Sequence, residues 1–288
     1  DANALTVTNG DASATSVTVK ELDNTALNLA GIAAGTLTAT VSGSVTLDPN
    51  TDLGDFDVEV GPSSAATLNL SAAQADGRNI SEGSTSNVNV SELEATTDAD
   101  LSGISTTSQT AGLNVEGGVS FTGNLGEIQL SVSDSDTNSV DTVTFGTGAV
   151  IANAASITVS DDTNVDVAAA IADGASMTVA NGDVNVTGLE DALDADLSGI
   201  TTTNGDLNVA LDSSTDVEIT NGADLNDAAV TISGTGTVTV ADETSGSAGD
   251  GAVVTNATFE VEAGATLVAE QDVGDTNTDI AIGSVSGP

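Results

Sequence analysis

Residues 87–107 read NVNVSELEATTDADLSGISTT, and residues 183–203 read DVNVTGLEDALDADLSGITTT. Aligned without a gap, 14 of the 21 positions are identical, at an offset of 96. A shorter third copy, VTVKELDNTALNLAGI, covers residues 17–32. The Leu that closes each copy falls at 29, 101 and 197, so the copies are offset by 72 and by 96 residues. Both offsets are multiples of 24. Self-similarity of this kind marks a repeat architecture, in which each unit buries its apolar face against its neighbours.

Within and between the copies, apolar residues alternate with polar ones, as in Leu5-Val7, Val17-Val19, Leu68-Leu70, Val88-Val90, Val184-Val186 and Val238-Val240. Period-two alternation with β-branched residues is the pattern of half-buried strands. The segments are short and are punctuated by Asn-Gly, Asp-Gly, Gly-Asp and Ser-Gly. A coil of twenty-odd residues closes one circuit of a parallel β-helix. Coils stack at about 4.8 Å, so the chain has room for about 12 of them. The expected fold is therefore mainly β, an elongated parallel β-solenoid with short helical turns, running through residues 1–288 as one continuous repeat domain. The alternative is a tandem array of immunoglobulin-like β-sandwiches, whose hairpins use the same turn dipeptides. Sandwiches predict equal spacing of copies and a large aromatic core anchor. The 72/96 spacing, and four Phe with no Trp or Tyr, favour the solenoid.

The helical turns are read from S/T-x-x-E/Q boxes, which satisfy two orphan N–H groups reciprocally. Ser91 with Glu94, Thr187 with Glu190 and Ser71 with Gln74 have this spacing. Leu189, Leu193 and Leu197 recur every four residues, which places them on one face of a short helix.

Composition narrows the function. The chain carries 44 acidic against 2 basic side chains, a net charge of -42, and it has no His or Cys. Ser-His-Asp triads, thiol nucleophiles and Cys/His zinc sites are thereby excluded. Lys20 and Arg78 alone cannot neutralise a phosphate backbone, so nucleic acid is not a partner. The 39% hydrophobic content and mean hydropathy of +0.11 set the chain apart from an acidic disordered tail. No apolar run approaches the ~20 residues of a transmembrane helix. The first residues lack the basic and apolar regions of a signal peptide, so any export signal is expected to lie outside this chain or to have been removed.

The segments TLNLSAAQADG (67–77) and VNVSELEATTDADLSGI (88–104) resemble the β-strand repeats of very large secreted surface proteins of marine bacteria. The resemblance covers roughly residues 63–209, with an echo at 17–32. It implies a secreted, extracellular or cell-surface location and a role as adhesin, filament or coat (S-layer) material, with no catalytic residues to transfer. The G-G-x-G-x-D calcium nonapeptides of type I-secreted toxins are missing from this sequence.

Acidic clusters are the candidate binding sites. Asp48-Asn50-Asp52, Asp162-Asn164-Asp166 and Asp275-Asn277-Asp279 share the spacing D-x-N-x-D, and Asp134-Asp136-Asn138 is followed by Asp141. Alternate oxygen ligands in a tight turn suit Ca²⁺, which takes six to eight oxygens. The bland reading is a solvated turn, because Asp and Asn are the preferred turn formers. Collectively the carboxylates repel one another, so folding or assembly is expected to depend on cations or on salt screening. Catalysis is not expected: a paired-carboxylate glycosidase needs a sugar cleft with aromatic platforms and cationic donors, and the chain has almost neither. Two function classes remain. One is a structural element that self-associates or continues in a larger polymer. The other is a binding module that meets carbohydrate, mineral or ice through Asp/Thr ladders, with Thr106-Thr107 and Thr201-Thr202-Thr203 as its candidate Thr arrays. Asn79, Asn89, Asn185 and Asn256 head Asn-x-Ser/Thr sequons, and Asn89 and Asn185 are expected on the outer face of their strands.

Overall fold

A computed structural model describes the chain except for residues 1–4, 7–16, 21, 33–36, 63, 83–84, 107, 136–139, 161, 220–224, 226–227, 241–256, 270–283 and 287–288. Two compact units are distinguished. Unit 1 comprises residues 1–114, 121–133 and 148–155, and unit 2 comprises 115–120, 134–147 and 156–288. The fold is a parallel β-solenoid of about ten turns, as the repeat spacing implied, and not a set of sandwiches.

In unit 1 successive coils form two stacks of strands. Stack I runs Val17–Val19, Leu37–Val41, Asp57–Val60, Ile80–Glu82 and Ile104–Ser105. Stack II runs Ser44–Thr46, Thr67–Ser71, Asn87–Ser91, Ser108–Asn114 and Gln129–Ser133. In unit 2, stack III runs Val119–Phe121, Asp141–Phe145, Thr163–Ala168, Val184–Thr187, Leu207–Ser213, Ala229–Gly234, Thr258–Val261 and Ser284–Ser286. Stack IV runs Ser156–Val159, Met177–Val179 and Ile200–Thr202. Stack V runs Val217–Ile219, Thr237–Val240 and Thr266–Ala269. The registered pairs are parallel and in phase, so Leu68 sits over Val88 in unit 1, and Val165 over Val184 and Val184 over Leu207 in unit 2.

That registry turns alternation into a core. Thr67–Ser71 buries its second and fourth residues, and Thr163–Ala168 buries its first, third and fifth. Stacked in phase, such strands line the interior with continuous files of Val, Leu and Ile. Phe56, Phe121, Phe145 and Phe259 are all fully buried, so the few aromatics are spent inside the coils. Each buried CH₂ contributes roughly 0.8 kcal/mol, which suffices without a large aromatic anchor.

The 24-residue period is most regular in unit 1, along a column of tight corners. Isolated parallel bridges link Asn28 to Asp52, and Asp100 to Asn124 to Val150. Asp76 belongs to the same column, since its Oδ1 accepts the Asp100 N–H at 2.8 Å, 24 residues on. The next residue is buried at Leu29, Leu53, Leu101, Leu125 and Ile151. Its carbonyl accepts an N–H three residues later, from Ile32, Phe56, Ile104, Ile128 and Ala154. The motif Asx-Leu-x-x-apolar therefore recurs at 52–56, ending in Phe56, and at 124–128, ending in Ile128, as well as in the three copies read from the sequence, which end in Ile. Elsewhere coil length varies, from 19 residues between Val165 and Val184 to 29 between Ala229 and Thr258. The turns number about ten, against the roughly 12 that a uniform 24-residue coil would give.

The expected short helical turns are present, but two of the three capping boxes are not. Ala72–Ala75 and Ala169–Ala172 are single α-turns, while Leu93–Ala95 and Leu189–Asp191 are 3₁₀ turns. Gln74 forms its half of the box by accepting the Ser71 N–H at 3.1 Å. Ser91/Glu94 and Thr187/Glu190 do not form boxes, because the caps are Glu92 and Gly188, both in the left-handed region. Glu94 and Glu190 instead accept the Asn114 and Asp212 N–H groups of the following coil. No helix carries Leu189, Leu193 and Leu197. The turn ends at Ala192, φ -145°, and Leu193 lies half-buried beyond it.

Glycine in the described Asn-Gly pairs of unit 2, Asn181-Gly182 and Asn204-Gly205, is required by close stacking. A Cβ on Gly182 would collide with the Thr163 carbonyl oxygen, and one on Gly205 with the Gly182 carbonyl oxygen. The Asn-Gly signal here marks coil-on-coil approach and not a hairpin.

Leu101→Ala is expected to lower unfolding free energy by about 2–5 kcal/mol, through lost burial and a residual cavity. Glu92→Gly is expected to raise it by about 1 kcal/mol, because Glu92 has φ 62° at the position Gly188 occupies in the other copy. Urea midpoints at constant m-value read both.

Candidate functional site

The outward positions of the strands form polar files at the coil spacing. In unit 1, Thr46, Asn69, Asn89 and Thr110 are in register across four strands of stack II. Asn69 Nδ2 donates to Thr46 Oγ1 at 3.2 Å, Asn89 Nδ2 to Asn69 Oδ1 at 2.7 Å, and Thr110 Oγ1 to Asn89 Oδ1 at 2.9 Å. In unit 2, Asn185 Nδ2 donates to Asp166 Oδ1 at 2.8 Å and Asn208 Nδ2 to Asn185 Oδ1 at 3.1 Å. Asn89 and Asn185 thus occupy the outer face, as the alternation required. Asn79 belongs to a similar pair, donating to Asp57 at 2.9 Å. A glycan on any of these three sequons would displace a hydrogen bond between coils. Asn256 lies outside the described residues.

Many carboxylates act at the corners. Asp100 Oδ1 accepts both the Ser102 N–H at 3.1 Å and its hydroxyl at 2.6 Å, and Asp196 does the same for Ser198. Others reach the next coil: Asp173 accepts the Asp196 N–H at 2.8 Å, and Asp183 accepts the Asp206 N–H at 2.9 Å. Two charges one coil apart, about 4.8 Å, repel by about 0.9 kcal/mol in water. Hydrogen bonds from backbone N–H to a carboxylate offset that cost, the set at one exposed corner contributing about 1 kcal/mol.

The candidate cation ligands fall in three settings. Asp48 and Asp52 hold two consecutive turns: Asp48 Oδ1 accepts from Asn50 N and Nδ2, both at 2.8 Å, and Asp52 Oδ1 accepts from Gly54 N at 2.9 Å. Asp162 is exposed beside Asn164 and Asp166, which face outward from an extended strand and not from a loop. Asn164 Oδ1 accepts the Asp183 N–H at 2.9 Å. Asp134 is buried, and Asp141 Oδ2 accepts the Gly117 N–H at 2.8 Å. Asp136, Asn138, Asp275, Asn277 and Asp279 lie outside the described residues. Among the described residues no three acidic side chains converge on one point.

The Thr candidates separate. Thr201 stacks in register with Thr178 and Thr158, all exposed, and its Oγ1 lies 3.3 Å from Thr178 Oγ1. Thr202 is half-buried, and Thr203 follows the strand. Thr106 donates to the Ser108 carbonyl at 3.1 Å and lines an open polar groove of unit 1 with Ser108, Gln109, Glu127, Gln129 and Asn153. Thr107 is outside the described residues. The sequence reading named neither the Thr158–Thr178–Thr201 file nor the corner Asx column. The signal for the first was the shared apolar-Thr-Val/Thr triplet at 157–159, 177–179 and 200–202. Among the described residues no helix is long and apolar enough to cross a membrane.

Asp100→Ala is expected to cost about 1 kcal/mol by orphaning the corner N–H, whereas Asp100→Asn, which keeps an Oδ1 acceptor, loses less than half of that. Thermal melts in high salt, where charge repulsion is screened, isolate this hydrogen-bond effect. Comparison of the chain with protein-family models, with curated proteins and with solved structures finds no match.

Proposed function

We propose that the chain is a non-catalytic structural repeat protein of the cell exterior, forming or extending a surface filament, coat or adhesin stalk. The observation that carries this reading is where the polar side chains are committed. Asn, Thr and Asp groups that could form a site are instead paired along the stacking direction, joining one coil to the next. Cations stabilise the assembly by screening or bridging the stacked carboxylates. A net charge of -42 on a compacted chain calls for such counter-charge.

A second reading, a binding module for carbohydrate, mineral or ice, is favoured by one observation: the exposed, in-register Thr158–Thr178–Thr201 file. Saturable binding by a monomer, lost in Thr178→Lys, would select it over the structural reading.

Negative-stain micrographs of the chain in millimolar calcium are expected to show ordered fibres or sheets. A monodisperse monomer at every salt and calcium concentration would sink the structural reading. Calcium is expected to raise the melting temperature more than NaCl of equal ionic strength. An equal rise with both salts would leave screening alone as the cation effect.

A further inference from the structure

Charge is unevenly distributed over unit 1. The five strands of stack II present fifteen outward positions, from Ser44 to Ser133, and every one is Ser, Thr, Asn, Gln or Gly. At the chain average of 16% charged residues, fifteen positions would hold two or three charges, and outward positions more. Stack I differs, since its strand Asp57–Val60 turns Asp57 and Glu59 outward. The strands of stack III carry Asp166, Asp212 and Glu260. In a polyanion, a whole sheet face without a carboxylate requires an explanation.

We propose that the charge-free outward face of stack II is where a second copy of this chain packs, sheet against sheet. The proposal rests on the structural reading above and names the surface through which copies meet. Glu94 and Glu127 border the face, at Asn114 and beside Ser108 and Gln129, but none of its fifteen outward strand positions is a carboxylate, so two bodies of net charge -42 repel least there. The face is also commensurate with itself. Its side chains stand in files spaced by the ~4.8 Å of the coils, so two such faces interdigitate as paired sheets do, about 10 Å apart. The Thr46–Asn69–Asn89–Thr110 file already satisfies much of its own hydrogen bonding, which lowers the desolvation cost of a dry contact. A different protein as partner is disfavoured, because the face has no Trp, Tyr or Arg to act as an anchor. A glycan is disfavoured for want of aromatic platforms.

The test is sedimentation velocity of the full chain in about 1 M NaCl, where the Debye length is ~3 Å and general repulsion is quenched. Concentration-dependent association is expected. Ser108→Asp with Ser131→Asp, both exposed and in stack II, should weaken it by at least about tenfold, or about 1.4 kcal/mol. Ser81→Asp with Ser105→Asp, which adds the same charge to stack I, should leave it unchanged. Circular dichroism checks that each pair remains folded, and Ser131→Asp alone serves if the double substitution does not. Equal weakening by both pairs, or a chain monomeric throughout, overturns the proposal. So does binding of a neutral dextran by a monomer that is lost in Ser108→Asp/Ser131→Asp. Fibres that persist unchanged in that variant would refute this contact while leaving the structural function standing.

Discussion

The structure depends on parallel coils stacking in phase. A parallel strand pair fixes its neighbour's register through evenly spaced backbone hydrogen bonds, and a slip of one residue would turn every apolar side chain outward. Because the registry holds, Leu68 lies over Val88 and Val184 over Leu207, and a modest aliphatic pattern becomes a continuous core. The same registry sets what the outer surface can do. Any polar residue at an outward position meets its counterpart one coil away, and its chemistry is first directed along the stack. Asn is suited to this, because its amide both donates and accepts and so propagates a file, as Asn69, Asn89 and Asn185 do.

Acidity then serves geometry. At the corners the coil changes direction and leaves N–H groups without a strand partner. Asp is the smallest side chain that returns a charged acceptor to such groups, as at Asp100 and Asp196. A chain built from many corners accumulates carboxylates for this local reason. The global repulsion that results is a by-product that the surroundings must absorb, and it shapes which faces of the molecule can approach one another.

The sequence revealed the β class, the period and the outward placement of Asn89 and Asn185, because these follow from alternation and self-similarity along the chain. It misled where a short-range pattern served a long-range partner. Ser91-x-x-Glu94 has the spacing of a helix cap, yet Glu94 bonds Asn114 of the next coil. Leu189, Leu193 and Leu197 have helical spacing, but two of them enter the core from different segments of one coil and the third stays half-buried. The corner motif at 52–56 and 124–128 was visible as Asx-Leu-x-x-apolar, yet variation in the rest of the coil hid it from gapless alignment. The acidic triplets shared a spacing but not a conformation: Asp48-Asn50-Asp52 lies in turns, whereas Asn164 and Asp166 sit on a strand.

The scarcity of cations has a consequence for resistance to proteolysis. A trypsin-like protease recognises only Lys and Arg, and the chain offers one of each. Arg78 is half-buried, and its amide is tied to the Ala75 carbonyl within a corner. Lys20 is exposed directly after a strand of stack I. To such an enzyme the chain presents a single ready cleavage point, at Lys20, so resistance to it comes from composition and coil closure without a disulfide.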